Sequence, residues 1–88
     1  MAGNLEIAAL FERIADLLEI RGENVFKVNA YRRAAENIRE AGRPLAEIRA
    51  EGTLRQVPGV GEAIAEKIEE LLDTGKLDFY EKLRGEVP

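Results

Sequence analysis

Leu54-Arg55-Gln56-Val57-Pro58-Gly59-Val60-Gly61-Glu62-Ala63-Ile64-Ala65-Glu66-Lys67-Ile68 is the stretch whose reading decides the fold. It reads as a short helix, a four-residue hairpin and a second helix. Thr53 or Gly52 can open the first helix. Pro58 ends it, because proline has no amide to donate and restricts the residue before it. Gly59 and Gly61 are expected to take positive φ and to let another backbone come close. The second helix would then begin with unpaired amides and the positive end of its dipole facing outward, a setting that suits a phosphate. Leu54, Val57 and Val60 are spaced to pack back onto Ala65 and Ile68, and Ala65 is small enough for the two helices to close up. The plainer reading is a tight αα-corner whose glycines serve the turn alone. Generic glycine turns rarely carry the whole set of packing residues at once.

Outward from this stretch, every other segment reads as helix. Asn4 is the expected N-cap of a helix over 5 to about 21, with Ile7, Leu10, Phe11, Ile14, Leu17 and Leu18 on one face and Gly22 as its stop. Residues 23–27 are expected to form a loop, and the pattern predicts a second helix over about 28–41 with Tyr31, Ala34, Ala35 and Ile38 inward. Gly42 and Pro44 end it, and Pro44 starts a short helix over 45–50. The helix after the hairpin is predicted over 62–73, with Ile64, Ile68, Leu71 and Leu72 inward and Gly75 as its stop. A last helix over 78–83 can dock Phe79, Tyr80 and Leu83. With no strand pattern, repeat or low-complexity tract, the expected fold is all-α. It is a compact bundle of four to five short helices as two antiparallel pairs, with one helix-hairpin-helix at 53–73 in a single domain over 1–88.

Composition removes several kinds of chemistry. The 88 residues include no Cys and no His, so disulfides, thiolate zinc sites and imidazole catalysis are excluded. Acid–base work would fall to carboxylates, lysine, tyrosine or water. The first apolar segment carries Glu6, Glu12, Arg13, Asp16 and Glu19, so it neither spans a membrane nor reads as a signal peptide. The chain reads as intracellular, and the expected state is a cytoplasmic monomer. The formal net charge is −4, whereas binders of nucleic acid are usually basic. Residues 1–42 hold six basic and seven acidic side chains, and residues 43–88 hold seven and ten. The acidic excess thus lies mainly in the half that contains the hairpin, and any contact with a polyanion must come from a local patch.

Lys67 lies about a quarter-turn off the apolar arc of its helix at 3.6 residues per turn. Its stem can lie on apolar surface while its amine reaches the rim. An amine desolvated in this way is driven toward its neutral form, which is the nucleophile toward aldehydes. The plainer reading is a snorkelling lysine. A second stretch, Phe26-Lys27-Val28-Asn29-Ala30-Tyr31-Arg32-Arg33-Ala34-Ala35, gathers cations and a tyrosine at the start of a helix. Arg32 and Arg33 alone would be read as a solvated face.

Taken together, Asn29-Ala30-Tyr31-Arg32, Pro58-Gly59-Val60-Gly61, Ala65-Glu66-Lys67-Ile68 and Thr74-Gly75-Lys76-Leu77 resemble the N-terminal lyase domain of family X DNA polymerases, the family of DNA polymerase beta, in a bacterial or archaeal form. The resemblance covers roughly residues 5–83, and 85–88 look like a cut just ahead of the rest of such a polymerase. It implies a domain that binds gapped, abasic or single-stranded DNA near a 5′ phosphate and removes 5′-deoxyribose phosphate by β-elimination in base-excision repair. By that resemblance Lys67 is the Schiff-base lysine, Tyr31 the tyrosine near it and Glu66 an assisting carboxylate. Lys27 and Arg32, with the hairpin positions Gly59, Val60, Gly61 and Ala63, would contact DNA. The backbone carbonyls of Arg55, Val57 and Val60 would bind a monovalent cation, Na+ or K+, and no cofactor is required. No nucleotidyl-transfer carboxylate triad can be assigned. Ala63 and Phe79 stand where the vertebrate form has phosphate-binding lysines, Phe26 stands for a histidine, and Asp78 adds negative charge nearby. Two other readings stand beside this one: a non-catalytic module for DNA backbone, and an engineered scaffold of the same fold.

Overall fold

Two long helices set the frame. The computed structural model describes residues 3–87, so Met1, Ala2 and Pro88, the last residue of the Gly-Glu-Val-Pro tail, lie outside the described residues. Helix α1 spans Asn4–Ile20 and α2 spans Val25–Arg39. They lie antiparallel, as their ion pairs show: Arg32 reaches Asp16 and Glu19, and Arg39 reaches Glu12. The short connection between them works because Gly22, at φ 81°, turns the chain through the left-handed region. The amide of Glu23 then bonds the Leu18 carbonyl and that of Gly22 bonds Glu19, which satisfies the helix's last acceptors.

Helix α1 buries Ile7, Ala8, Phe11, Ile14, Ala15 and Leu18 as one stripe. Helix α2 answers with Val28, Tyr31, Ala34, Ala35 and Ile38. Leu10 and Leu17, expected inward, pack only at the margin of this core. The alanines let the two backbones approach, while Phe11 meets Tyr31 edge-on at 5.8 Å between ring centroids. Short helix α3 (Leu45–Ala50), a 3₁₀ turn (Leu54–Gln56), α4 (Glu62–Thr74) and α5 (Asp78–Glu86) follow. They add Leu45, Ile48, Leu54, Val60, Ile64, Ala65, Ile68, Leu71, Leu77 and Leu83 to the same core, which among the described residues contains no buried charged group. The fold is all-α, with five α-helices and no strand among the described residues. None of these helices is long and apolar enough to cross a membrane.

Several boundaries differ from the sequence reading. Gly3, not Asn4, stands at the N-cap of α1. Asn4 instead clasps the far end of the α1–α2 pair. Its Oδ1 accepts from the Leu45 amide at 2.9 Å and its Nδ2 donates to the Arg43 carbonyl at 2.7 Å. A residue of capping type thus caps α3, forty-one positions away, whose own N-cap Pro44 has no side-chain acceptor to offer. Helix α2 starts three residues before the expected position, because Asn24 Oδ1 accepts from the Phe26 amide at 2.7 Å. Phe26 and Lys27 therefore stand in a helical first turn, and that turn faces solvent. The same helix ends at Arg39, two residues short of the expected end. The first helix of the hairpin unit is a single 3₁₀ turn. Helix α4 ends one residue later than expected, Leu72 is only partly buried, and α5 extends to Glu86.

Candidate functional site

The hairpin is built on a tight turn at 57–60. The Val60 amide bonds the Val57 carbonyl at 2.9 Å, with Pro58 and then Gly59 between them. Proline second and a positive-φ residue third is the signature of a type II turn. Gly59 supplies that angle, φ 80°. It also lies close against α2: a Cβ there would stand 2.9 Å from Asn37 Nδ2 and 3.4 Å from Arg33 Cγ. Gly61 departs from the sequence reading. Its φ is −83° and ψ −171°, ordinary extended backbone, and a Cβ there would meet nothing within 4 Å. It is the N-cap of α4, with no side chain to close the helix end.

Open donors follow from this geometry. Among the described residues, the amides of Gly59, Gly61, Glu62 and Ala63 find no acceptor. The first amide of this unit with a backbone partner inside α4 is that of Ala65, which bonds Gly61 at 2.8 Å. Val60 is buried and its amide closes the turn. The Val57 carbonyl already accepts that same amide. It keeps a second lone pair, and the carbonyls of Arg55, Val57 and Val60 are neutral oxygen donors of the kind a Na+ or K+ ion takes.

Charge around the hairpin is closely paired. Arg55 forks onto Glu62 at 2.9 and 3.1 Å and reaches Glu69 at 3.4 Å. This fork holds the Glu62 carboxyl below its usual range and raises Arg55. It also draws the one acid in the first turn of α4 toward a cation. Arg49 joins Asp73 and Glu69, tying α3 to α4 through the same carboxylate. Arg32 is likewise committed, to Asp16 at 3.0 Å and Glu19 at 3.1 Å on α1. Arg33, its neighbour, is exposed and lies beside Gly59. The sequence reading puts Arg33 with Arg32 on a solvated face and gives Asn37 no role. Their spacing of four residues puts them on one face of α2, but nothing local says that the hairpin covers that face.

Lys67 is half-buried on α4. Its Nζ sits 4.8 Å from the centroid of the Phe79 ring. Phe79 in turn stacks on Tyr31, 6.0 Å between centroids and 7° between planes. The series Lys67, Phe79, Tyr31, Phe11 thus connects α4, α5, α2 and α1. Burial pushes the Tyr31 phenol up to about 12, so it keeps its proton. Lys67 makes no ion pair among the described residues. Glu70, one turn on, is turned away: its Oε2 accepts from the Asp78 amide at 2.8 Å and so caps α5. Glu66 and Lys27 are exposed. Lys27 stands one turn before Tyr31 on α2, and Phe26 beside it is 80% exposed. Phe79 is therefore more than a lost cation, since it carries the lysine's amine on its face. A groove of about 610 Å³ lies elsewhere, between the start of α1 and the α2–α3 connection, and shares no residue with the hairpin or with the surroundings of Lys67.

A type II turn feeding an uncapped helix, packed against a two-helix scaffold, defines the class: the chain belongs to the helix-hairpin-helix domain family, whose model matches residues 2–77. A particular relative is the DNA polymerase/3'-5' exonuclease PolX of Bacillus subtilis (strain 168), to which the chain is 36% identical over 83 residues. That match takes in 94% of this chain and 14% of the relative, so the chain spans about one-seventh of the relative's length. Both findings agree with the resemblance to the N-terminal domain of family X DNA polymerases.

Proposed function

We propose that this domain binds the backbone of gapped, abasic or single-stranded DNA near a 5′ phosphate and that Lys67 removes 5′-deoxyribose phosphate through a Schiff base. Open amides at Gly59, Gly61 and Ala63 support the first part, because they can receive phosphate oxygens without a positive side chain. The carrying observation for the second is the Lys67 amine: half-buried, held on Phe79 and free of any carboxylate among the described residues. A lysine amine without an ion-pair partner is free to meet an aldehyde, and in its neutral form it is the nucleophile.

The neutral amine adds to the open-chain sugar aldehyde, water leaves, and a protonated imine forms. The imine draws electrons from the neighbouring carbon, whose proton passes to a base, and the released pair expels the 3′ phosphate; water then hydrolyses the conjugated imine, freeing the unsaturated sugar phosphate and the Lys67 amine. Tyr31, protonated and stacked under Phe79, positions the lysine and does not act as the base. Glu66 is the exposed carboxylate that would take the proton through water. Lys27 would hold phosphate, whereas Arg32 would have to leave Asp16 and Glu19 to do so. A Na+ or K+ ion on the carbonyls of Arg55, Val57 and Val60 would add a positive charge beside the DNA phosphate. The matching place in the cell is the cytoplasm at the nucleoid, in base-excision repair and in the context of a polymerase.

Borohydride trapping on abasic DNA tests this. Lys67→Ala should abolish the trapped adduct and leave DNA binding largely intact, while Lys27→Ala should weaken binding and leave trapping at saturating DNA. Trapping of Lys67→Ala at the parent rate would sink the lyase assignment. The exposure of Glu66, the carboxylate nearest in sequence to Lys67, favours a second reading, a backbone-binding module without chemistry. In that case the parent binds DNA and no adduct forms.

A further inference from the structure

The fold consumes almost all of its guanidinium charge. Of the nine arginines, seven pair with carboxylates. Arg13 donates to the Tyr80 hydroxyl at 3.4 Å. Arg33 alone has neither kind of partner among the described residues, and Glu36, three positions along, does not pair with it. Its location is specific. The Arg33 stem runs past the hairpin, with Cγ 3.4 Å from the place of a Gly59 Cβ, and Asn37 one turn on presents Nδ2 to the same glycine.

We infer that Arg33 grips a DNA phosphodiester at the hairpin and supplies the full positive charge that the hairpin's own amides lack. The inference rests on the DNA-backbone reading above and adds a side chain to it. A paired arginine brings no net charge to a phosphate and must first release its carboxylate. An unpaired one neutralises the phosphate directly and presents a fork that fits two of its oxygens. Charge beyond a Debye length, about 10 Å at 0.1 M salt, is largely screened. The net charge of −4 therefore matters less at the hairpin than one guanidinium within reach. Displacing the counterion from one phosphate contributes about 0.9 to the log–log salt slope on duplex DNA and about 0.7 on a single strand.

The test uses the intact chain, a labelled gapped duplex and a salt titration between about 50 and 200 mM. Arg33→Gln should lower affinity several-fold at low salt and reduce the slope by about one phosphate's worth. Arg33→Lys should keep the slope. Arg39→Gln, on the same helix but paired with Glu12, changes net charge equally and should leave the slope unchanged. Thermal melting establishes that each variant is folded. Equal slopes and affinities for Arg33→Gln and Arg39→Gln, with the parent binding, would overturn the role of Arg33 while leaving the hairpin reading intact. A parent that binds no DNA at all would overturn both.

Discussion

Gly59 and Gly61 stand two residues apart in one hairpin, and replacing each by alanine should produce opposite results. At Gly59, φ is 80°, a region that costs an L-residue roughly 1–2 kcal/mol. The added Cβ would also lie 2.9 Å from Asn37 Nδ2 and 3.4 Å from Arg33 Cγ. Both are atoms of side chains that can give way, so this adds at most about 1 kcal/mol. Gly59→Ala should therefore cost about 1–3 kcal/mol, against a total of about 5–15 kcal/mol for a domain of this kind. Each kcal/mol lowers Tm by about 4–8 °C at this size. At Gly61 the angles suit any residue and nothing lies within 4 Å. Alanine is a poorer N-cap than glycine, but it gains about 0.4–1 kcal/mol by restricting the unfolded chain. The two effects leave Gly61→Ala within about 0.5 kcal/mol of the parent. A methyl group at this N-cap would, however, crowd a phosphate drawn to the open amides of Gly61 and Glu62. Binding to gapped DNA should fall about tenfold or more, which is 1.4 kcal/mol, with Tm unchanged. Melting curves and fluorescence anisotropy on the two variants decide the matter. Parent-like binding by Gly61→Ala would refute the amide contact, and a larger Tm loss at Gly61 than at Gly59 would refute the geometric argument itself.

Asn4→Ala removes two hydrogen bonds, to the Leu45 amide and the Arg43 carbonyl, and should cost about 1–2 kcal/mol. Hydrogen exchange should show the loss first in α3. Tyr31 gives a pH dependence with a definite sign. Its phenol ionises near 10 when unfolded and at about 12 when folded, because burial disfavours the phenolate. The folded chain therefore holds a proton that the unfolded chain gives up, and stability is intact below about pH 10, falls above it and levels off past about 12. The full loss is about 2–3 kcal/mol, and melting of Tyr31→Phe above pH 10 should show a smaller fall than the parent's.

Helix punctuation was legible wherever the signal is local. Pro44 and Gly52 bracket α3 at its observed bounds, and Pro58 with Gly61 places the start of α4. The misplaced elements depended on distant partners or on faces that carry no pattern. The first turn of α2 points Val25 and Phe26 into solvent, 60% and 80% exposed, so no apolar period announces it. Only Asn24 marks the start, through its side chain's bond to the Phe26 amide. Asn4 is of capping type, but the helix it caps lies across the molecule, and side-chain chemistry alone does not say which helix end it reaches.

At the site, one missed distinction was present in the sequence. In Val57-Pro58-Gly59-Val60, a type II turn requires positive φ at its third residue alone and consumes the amide of its fourth. That assigns Gly59 to the turn, Val60 to packing and Gly61 to the open helix end. Charge was different in kind. Arg32 and Arg33 are adjacent and chemically identical, but a helix turns about 100° per residue. One meets the carboxylates of α1, and the other lies beside the hairpin. Which arginine keeps its charge is thus decided by the antiparallel register of α1 on α2. Net charge counts both alike and is for that reason a poor guide to what this surface can bind. The quantity that bears on a phosphate is the charge left over after the fold has paired its own, and among the described arginines that remainder is Arg33, beside the hairpin turn.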